Sequence, residues 1–339
     1  MKKNTLPFFV FVCILCSACV STQQPKEEVL RPKWLSIQGR QELFPDFEYI
    51  SSISYGYNEQ ECKENASVGV SEYIKSSVVS SANAEYFYQE SGNNFIENKK
   101  LYQIIQVSTA NNLWQLEYTN PYFDEVSGQF ACVAYINREK AFNFVRPKME
   151  IAEKQFPQAY YNSLQKDYLL DKIIGIRHSW SVLPDFYEVY DFARAIMPER
   201  AKAYEEVDAL AKESVLSFKE LCTSVLIKIQ GTGDTALLEN SGIIAELSNQ
   251  LTNMGFAVGN SQKANCIALV EVKSAITETR ETFQTYPEIS IKILEKGKEK
   301  ITYTKKLSKV AGFDKETVIR RTNIALTEDI KNSFVNECF

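Results

Sequence analysis

Apolar and polar residues alternate through FEYISSISYGY, Phe47 to Tyr57, a stretch rich in aromatic and β-branched side chains that predicts a strand ending at Gly56. The period then changes. From Asn58 onward Cys62, Ala66, Gly69, Tyr73 and Val78 recur at helical intervals, and Asn58 with Glu61 three residues later predicts a capping box at the start of that helix. Three further strand candidates follow: LYQIIQVS (101–108), LWQLEYT (113–119) and QFACVAYIN (129–137). The intervening TANN (109–112) and NPYFDEVSG (120–128) carry turn residues.

Strand signals stop at Arg138 and return at SVLIKIQ (224–230). Between them the chain reads as helix. Ala201, Tyr204, Val207, Leu210 and Leu221 mark an apolar face opposite a charged one, and Pro147, Pro157, Pro184 and Pro198 are expected to divide the region into several helices. The last part predicts a strand, then a helix on which Leu237, Ile244, Leu247 and Leu251 share a face and Gly255 forms the C-terminal cap. Strands in CIALVEVKSAITET (266–279) and a hairpin turning at Gly297 come next, and a helix beginning near Asp314 ends the run. This order describes an α+β protein with two strand-helix-strands domains joined by a helical segment. The units are 34–137, 138–221 and 222–339, with helices on one face of the last sheet.

The first residues follow a different rule. Lys2 and Lys3 precede an apolar run from Leu6 to Leu15, about half the roughly twenty residues that a membrane-spanning helix needs. A positive start, a short apolar middle and the small residues Ser17 and Ala18 describe an export signal over 1–18. Cys19 follows at once, and 19–33 is a polar stretch with two prolines that reads as a tether.

Composition narrows the range of functions. A 45% hydrophobic, 12% aromatic chain is built to fold rather than to stay disordered. Without Lys2 and Lys3 the basic residues number 36 against 43 acidic, a net charge of −7, and no basic cluster offsets it, so nucleic acid is not an expected partner. Five cysteines remain beyond Cys19: Cys62, Cys132, Cys222, Cys266 and Cys338. Their spacing fits no zinc pattern, and the one histidine, His178, has no ligand neighbour. An exported chain meets an oxidising compartment, so disulfides are expected. If successive elements of the last unit run antiparallel, Cys266 and Cys338 share one end and Cys222 lies at the other, which selects a Cys266–Cys338 bridge.

Candidate chemistry is sparse. GTGDTA, Gly231 to Ala236, matches the dinucleotide fingerprint, but the strand that should end in an acidic residue ends FAVGNSQ. The motif reads instead as a glycine turn with Asp234 or Thr235 capping a helix. No nucleophile is spaced to make His178 a general base, and the pairs Glu27–Glu28 and Glu205–Glu206 read as solvated charge rather than a glycosidase pair. No catalytic set, cofactor or metal is implied.

CSAC, Cys16 to Cys19, resembles the lipobox of bacterial lipoproteins, with Cys16 where the family carries leucine; the resemblance implies acylation of Cys19. Val20 after that cysteine implies sorting to the outer membrane, facing the periplasm. Pro32, Trp34, Tyr49, Ile50, Gly56, Ala66, Ile74, Ser76 and Val78, followed by CVAYINREKA (132–141), resemble the LPP-twenty-type lipoprotein family. The same small fold occurs in the N-terminal part of the flagellar-motor protein FlgT. The last unit is similar to the TolB N-terminal, CsgG and LpoB type of domain. These resemblances imply a membrane partner through acyl chains, an envelope protein partner, a homo-oligomer as one form of assembly, and a scaffold or accessory role without catalysis. A glycan-handling envelope enzyme or a secretion-pore component, the latter drawing on the alternating residues 267–310, are the alternatives.

Overall fold

The computed structural model describes residues 31–80, 113–233, 242–279 and 282–339. The signal, Cys19, most of the tether, the strand candidate 101–108, Asp234, Thr235 and Leu237 lie outside the described residues. The protein is α+β.

Ser36 caps α1 (Ile37–Leu43), its Oγ accepting from the Gly39 N–H at 3.0 Å; the apolar pattern had not marked this helix. β1 (Tyr49–Gly56) leads into α2 (Glu59–Ser80). Asn58 Oδ1 accepts from the Glu61 N–H at 2.9 Å, as expected, while the Glu61 carboxylate reaches back to the Tyr57 N–H at 2.8 Å, one residue earlier than in a standard capping box. β2 (Leu116–Tyr118) and β3 (Tyr122–Asp124) both pair with β4 (Gln129–Asn137), whose other edge pairs antiparallel with β1. NPYFDEVSG is therefore more than a turn: its first half is β3.

β4 is buried on both faces. Cys132, Ala134 and Ile136 face α2, meeting Cys62, Ala66, Val70 and Ile74. Ala131 and Val133 face the other way, under Trp34, Leu35 and Phe44. The buried stripe of α2 is thus rotated from the expected one. Tyr73 is exposed, and its hydroxyl accepts from Arg138 Nη2 at 3.0 Å.

β4 runs directly into α3 (Arg138–Leu164), capped by Asn137. Pro147 and Pro157 were expected to break this region, yet both lie inside one continuous helix. An internal proline forfeits a backbone hydrogen bond. Here Ala141, Phe142, Val145, Met149, Ala152, Phe156 and Tyr160 are buried along the helix, and tertiary burial outweighs the local cost. Pro184 and Pro198 do stand at helix starts, where a missing N–H costs nothing. α4 (Leu169–Ser179), α5 (Leu183–Ile196) and α6 (Glu205–Thr223) complete the helical run. α5 is buried on nearly all sides, through Phe186, Tyr187, Val189, Tyr190, Phe192 and Ile196 among others. Trp114 from the first unit packs edge-on against Phe192, with ring centroids 4.9 Å apart.

In the last unit β5 (Leu226–Gly233), α7 (Gly242–Asn253) and β6 (Ala257–Val258) form a crossover that sets β6 parallel to β5. Gly255 at φ +93° and the Phe256 N–H bond to Leu251 O close α7 as anticipated. β7 (Cys266–Lys273) is also parallel to β5, on its other edge. The expectation of antiparallel pairing throughout is corrected here: a helical crossover returns the chain to the end it left, so the next strands start beside β5. After β8 (Thr277–Thr279) and β9 (Thr282–Thr285), β10 (Glu288–Glu295) and β11 (Lys298–Lys306) make the expected hairpin. Lys296 and Gly297 both adopt positive φ in its two-residue turn. The five-stranded order is β11-β10-β7-β5-β6, and a small second sheet joins β8, β9 and β12 (Val310–Gly312). Leu247, Leu251, Leu326 and Phe334, from α7 and the terminal helix α8 (Lys315–Asp329) with its continuation, cover one face of the sheet, over Ala268, Val270, Ile291 and Tyr303.

Candidate functional site

Two features of the helical run bring polar groups together. The first is a charged cluster between α5 and α6. Phe186, Tyr190 and Ala193 turn into the core, which leaves Tyr187, Asp191 and Arg194 on the flank facing α6. Asp208 receives the Tyr187 hydroxyl at 2.9 Å and the Lys212 ammonium at 2.8 Å, one on each carboxylate oxygen. Asp191 lies 3.7 Å from Arg194. Burial pushes the Asp191 carboxyl up to about 6, Arg194 draws it back down, and the nearby Asp208 adds a smaller upward push. Burial, then Asp208, raises the Tyr187 phenol well above its ordinary value, so it stays a donor. Asp208 is partnered on both oxygens, whereas among the described residues Asp191 has only the longer Arg194 contact. Their chemistry is that of a clamp between two helices.

The second feature is a groove of about 410 Å³ on the opposite side of α6, between it and α3. Pro157, Ala203, Val207, Ala209 and Leu210 give it an apolar floor with Tyr161 at the side, and Glu153, Glu206 and Glu213 stand on its rim. Glu153, Pro157 and Tyr161 are spaced by four on α3, and Glu206, Leu210 and Glu213 by four and three on α6, so each helix contributes one stripe. Pro157 has no N–H to offer the Glu153 carbonyl one turn back, which leaves an acceptor beside the rim. No basic side chain lines the groove.

Residues singled out from the sequence are scattered. His178 is exposed on the last turn of α4. Gly231, Thr232 and Gly233 are ladder positions of β5 paired with Val270, Glu271 and Val272, so the first two fingerprint glycines form no loop after the strand. A side chain at Gly233 would begin 2.6 Å from the Val272 carbonyl oxygen, which accounts for glycine there. Glu205 and Glu206 are both exposed, and only Glu206 lines the groove. Cys266 and Cys338 stand as free cysteines, as do Cys62 and Cys132, so no bridge joins them in this structure. The premise of the expected Cys266–Cys338 bridge also changes, because parallel pairing of β5 with β7 sets Ile227 beside Cys266 and brings the end of α6, with Cys222, to the same end of the sheet. Cys266 lies opposite Glu295 in the ladder, and burial, with a smaller contribution from Glu295, pushes its thiol up to about 12. Among the described residues no group of three or more His, Cys, Asp or Glu could hold a metal ion, and no helix is long and apolar enough to cross a membrane.

Asp191, Asp208, Arg194 and Lys212 carry no mark in the sequence pattern that sets them apart as a site. Asp208 and Lys212 are four apart and readable as a helix pair, but nothing in the chain reveals that α5 packs beside them. On the apolar face expected through Val207 and Leu210, Val207 is buried and Leu210 is half-buried at the groove.

The fold and site together define an α+β protein whose helical run joins two sheet-bearing units and presents an acidic groove. No protein-family model and no curated protein matches the chain. Among solved structures, a secreted protein of Helicobacter pylori, HP1454, is similar over 84% of this chain and 98% of its own, at 13% identity and a TM-score of 0.33. The lipoprotein GNA1162 of Neisseria meningitidis aligns over 32% of this chain and 99% of its own, at 11% identity and a TM-score of 0.23. Both scores lie below the level at which two chains share a fold.

Proposed function

We propose that this protein is a non-enzymatic, lipid-anchored component of the bacterial cell envelope, held on the periplasmic face of the outer membrane through Cys19 and acting as a scaffold or assembly factor. The observation that carries the reading is the ten-residue apolar run that closes on Ser17, Ala18 and Cys19. Each buried acyl methylene contributes about 0.8 kcal/mol, so two or more chains hold a water-soluble body at a bilayer. Replacing Cys19 by serine is expected to abolish incorporation of labelled fatty acid and move the protein from the membrane pellet to the soluble fraction. A variant that pellets as before, from a parent carrying no fatty acid, overturns the anchor.

The groove between α3 and α6 supports work through contact. Its apolar floor rewards burial, and three carboxylates without a counter-charge select a cationic partner segment. The partner in this reading is an envelope protein that presents lysine or arginine along an amphipathic helix. Changing Glu153 and Glu206 together to lysine is expected to lower cross-linking to that partner in intact cells by about tenfold, worth ~1.4 kcal/mol, with the fold retained. Unchanged cross-linking places the contact elsewhere.

A further inference from the structure

We propose that Cys62 and Cys132 form a disulfide that staples α2 to the central strand β4, made during folding by exchange with an external disulfide-bearing oxidant. The two residues are 70 positions apart in the chain, both are fully buried, and both stand as free thiols in this structure. Their sulfurs lie 2.6 Å apart. A disulfide bond is about 2.05 Å long, so closing roughly half an ångström completes it. Thiols that merely fill space in a core have no reason to approach so closely.

A second contact fixes the same geometry. Cys62 Sγ also lies 3.5 Å from the Ser54 carbonyl oxygen, to which the reduced thiol donates, and Ser54 is the residue of β1 that faces Cys132 across the ladder. The helix residue is therefore aimed at the strand position that Cys132 occupies. Small residues permit the approach. A side chain on Gly56 would begin 2.5 Å from the Cys62 backbone nitrogen, and one on Gly69 would begin 2.0 Å from Ser52 Oγ. With Ala66 between Cys62 and Val70 on the buried stripe, helix and sheet meet at short range along the line that holds both sulfurs.

The reaction balances as ordinary thiol–disulfide exchange. One cysteine thiolate attacks the oxidant's disulfide, forming a mixed disulfide and releasing one oxidant thiol. The second thiolate then attacks the cysteine sulfur and displaces the other. The pair loses two protons and two electrons, and the oxidant's disulfide is reduced to two thiols. Burial pushes the thiols of both Cys62 and Cys132 upward, which disfavours the attacking thiolate once α2 has docked. The bond therefore forms before docking is complete, and the closed core then shields it from reductant.

The supply of oxidant in the cell rests on the export reading, whereas the pairing does not, and the test separates them. The full-length chain is refolded from denaturant with a mixture of reduced and oxidised glutathione, blocked with maleimide under denaturing, non-reducing conditions, and digested. The expected result is a peptide joining Cys62 to Cys132, released by reductant. A folded chain in which both cysteines carry maleimide overturns the proposal. Reductant is expected to lower the unfolding midpoint of the wild-type chain and leave that of Cys62→Ala and Cys132→Ala unmoved; a wild-type midpoint indifferent to reductant also overturns it. A bridge found after refolding but absent from protein isolated from cells upholds the pairing and sinks the export reading instead.

Discussion

Glu295→Ala is expected to destabilise the folded protein by about 3 kcal/mol, since each buried N–H left without a partner costs roughly 1–3 kcal/mol. Glu295 ends β10, is 2% exposed, and points out of the last unit into the helical run. Its two oxygens accept from the Leu169 and Leu170 N–H groups, at 3.0 and 2.9 Å. Those are the first residues of α4, whose own N-cap, Tyr168, makes no side-chain bond to the helix. A helix start exposes unpaired N–H groups and a partial positive charge, and a carboxylate answers both. Here it comes from 125 residues away and links two parts of the chain. The turn beside it adds grip: Lys300 bonds Asp171 at 2.7 Å and lies over the Tyr168 ring, 3.4 Å from its centroid. Glu295→Gln keeps one acceptor and turns an amide donor toward the second N–H, so an intermediate loss is expected. Urea unfolding of the three chains measures this. An alanine variant within about 0.5 kcal/mol of the parent, as for an ordinary surface change, shows that the cap carries no weight.

Asp191 is expected to make the protein less stable as pH rises from 4 to 6. Its folded value near 6 stands above the ordinary unfolded value of about 3.9. Below pH 4 the carboxyl is protonated in both states and contributes nothing unfavourable. Between 4 and 6 the unfolded chain releases the proton while the folded chain still holds it, so stability falls. Above 6 the charge is buried at a constant cost of about 2–3 kcal/mol, two pKa units at 1.36 kcal/mol each. The side chain is only 16% exposed, so solvent screening removes little of this. Asp191→Asn keeps the shape and removes the titration. The difference between wild-type and variant unfolding free energies isolates the effect, because other carboxylates titrate in both. The variant is expected to be about 2–3 kcal/mol more stable at pH 7.5, since the folded value already includes the Arg194 attraction, and equal below pH 4. Parallel stability curves across that range refute the assignment.

Local signals marked β1, α2, β4, α6, α7 and the Gly297 hairpin, because each rests on period, capping or turn chemistry contained in a short window. Their failures share a cause. Pro147 and Pro157 read as breaks because a local rule prices the lost hydrogen bond and cannot price Phe156 and Tyr160 buried beside them. β3 is three residues long and exists only because β4 offers an edge. The candidate groove and the Asp191–Asp208 cluster were not legible, because each is made where two helices pack together, and neither helix's own pattern shows which flank meets the other.

The sequence by itself determined an acidic, folding-competent chain and the α+β order of elements. Those follow from composition and periodicity, which any short window contains. Tertiary structure decided which strand lies beside which, that β5 and β7 run parallel, that Glu295 caps a helix of another unit, and that Cys62 rather than Cys266 meets a second sulfur. Register and pairing across 70 or 125 residues depend on how whole faces bury against each other, and no local pattern encodes that geometry.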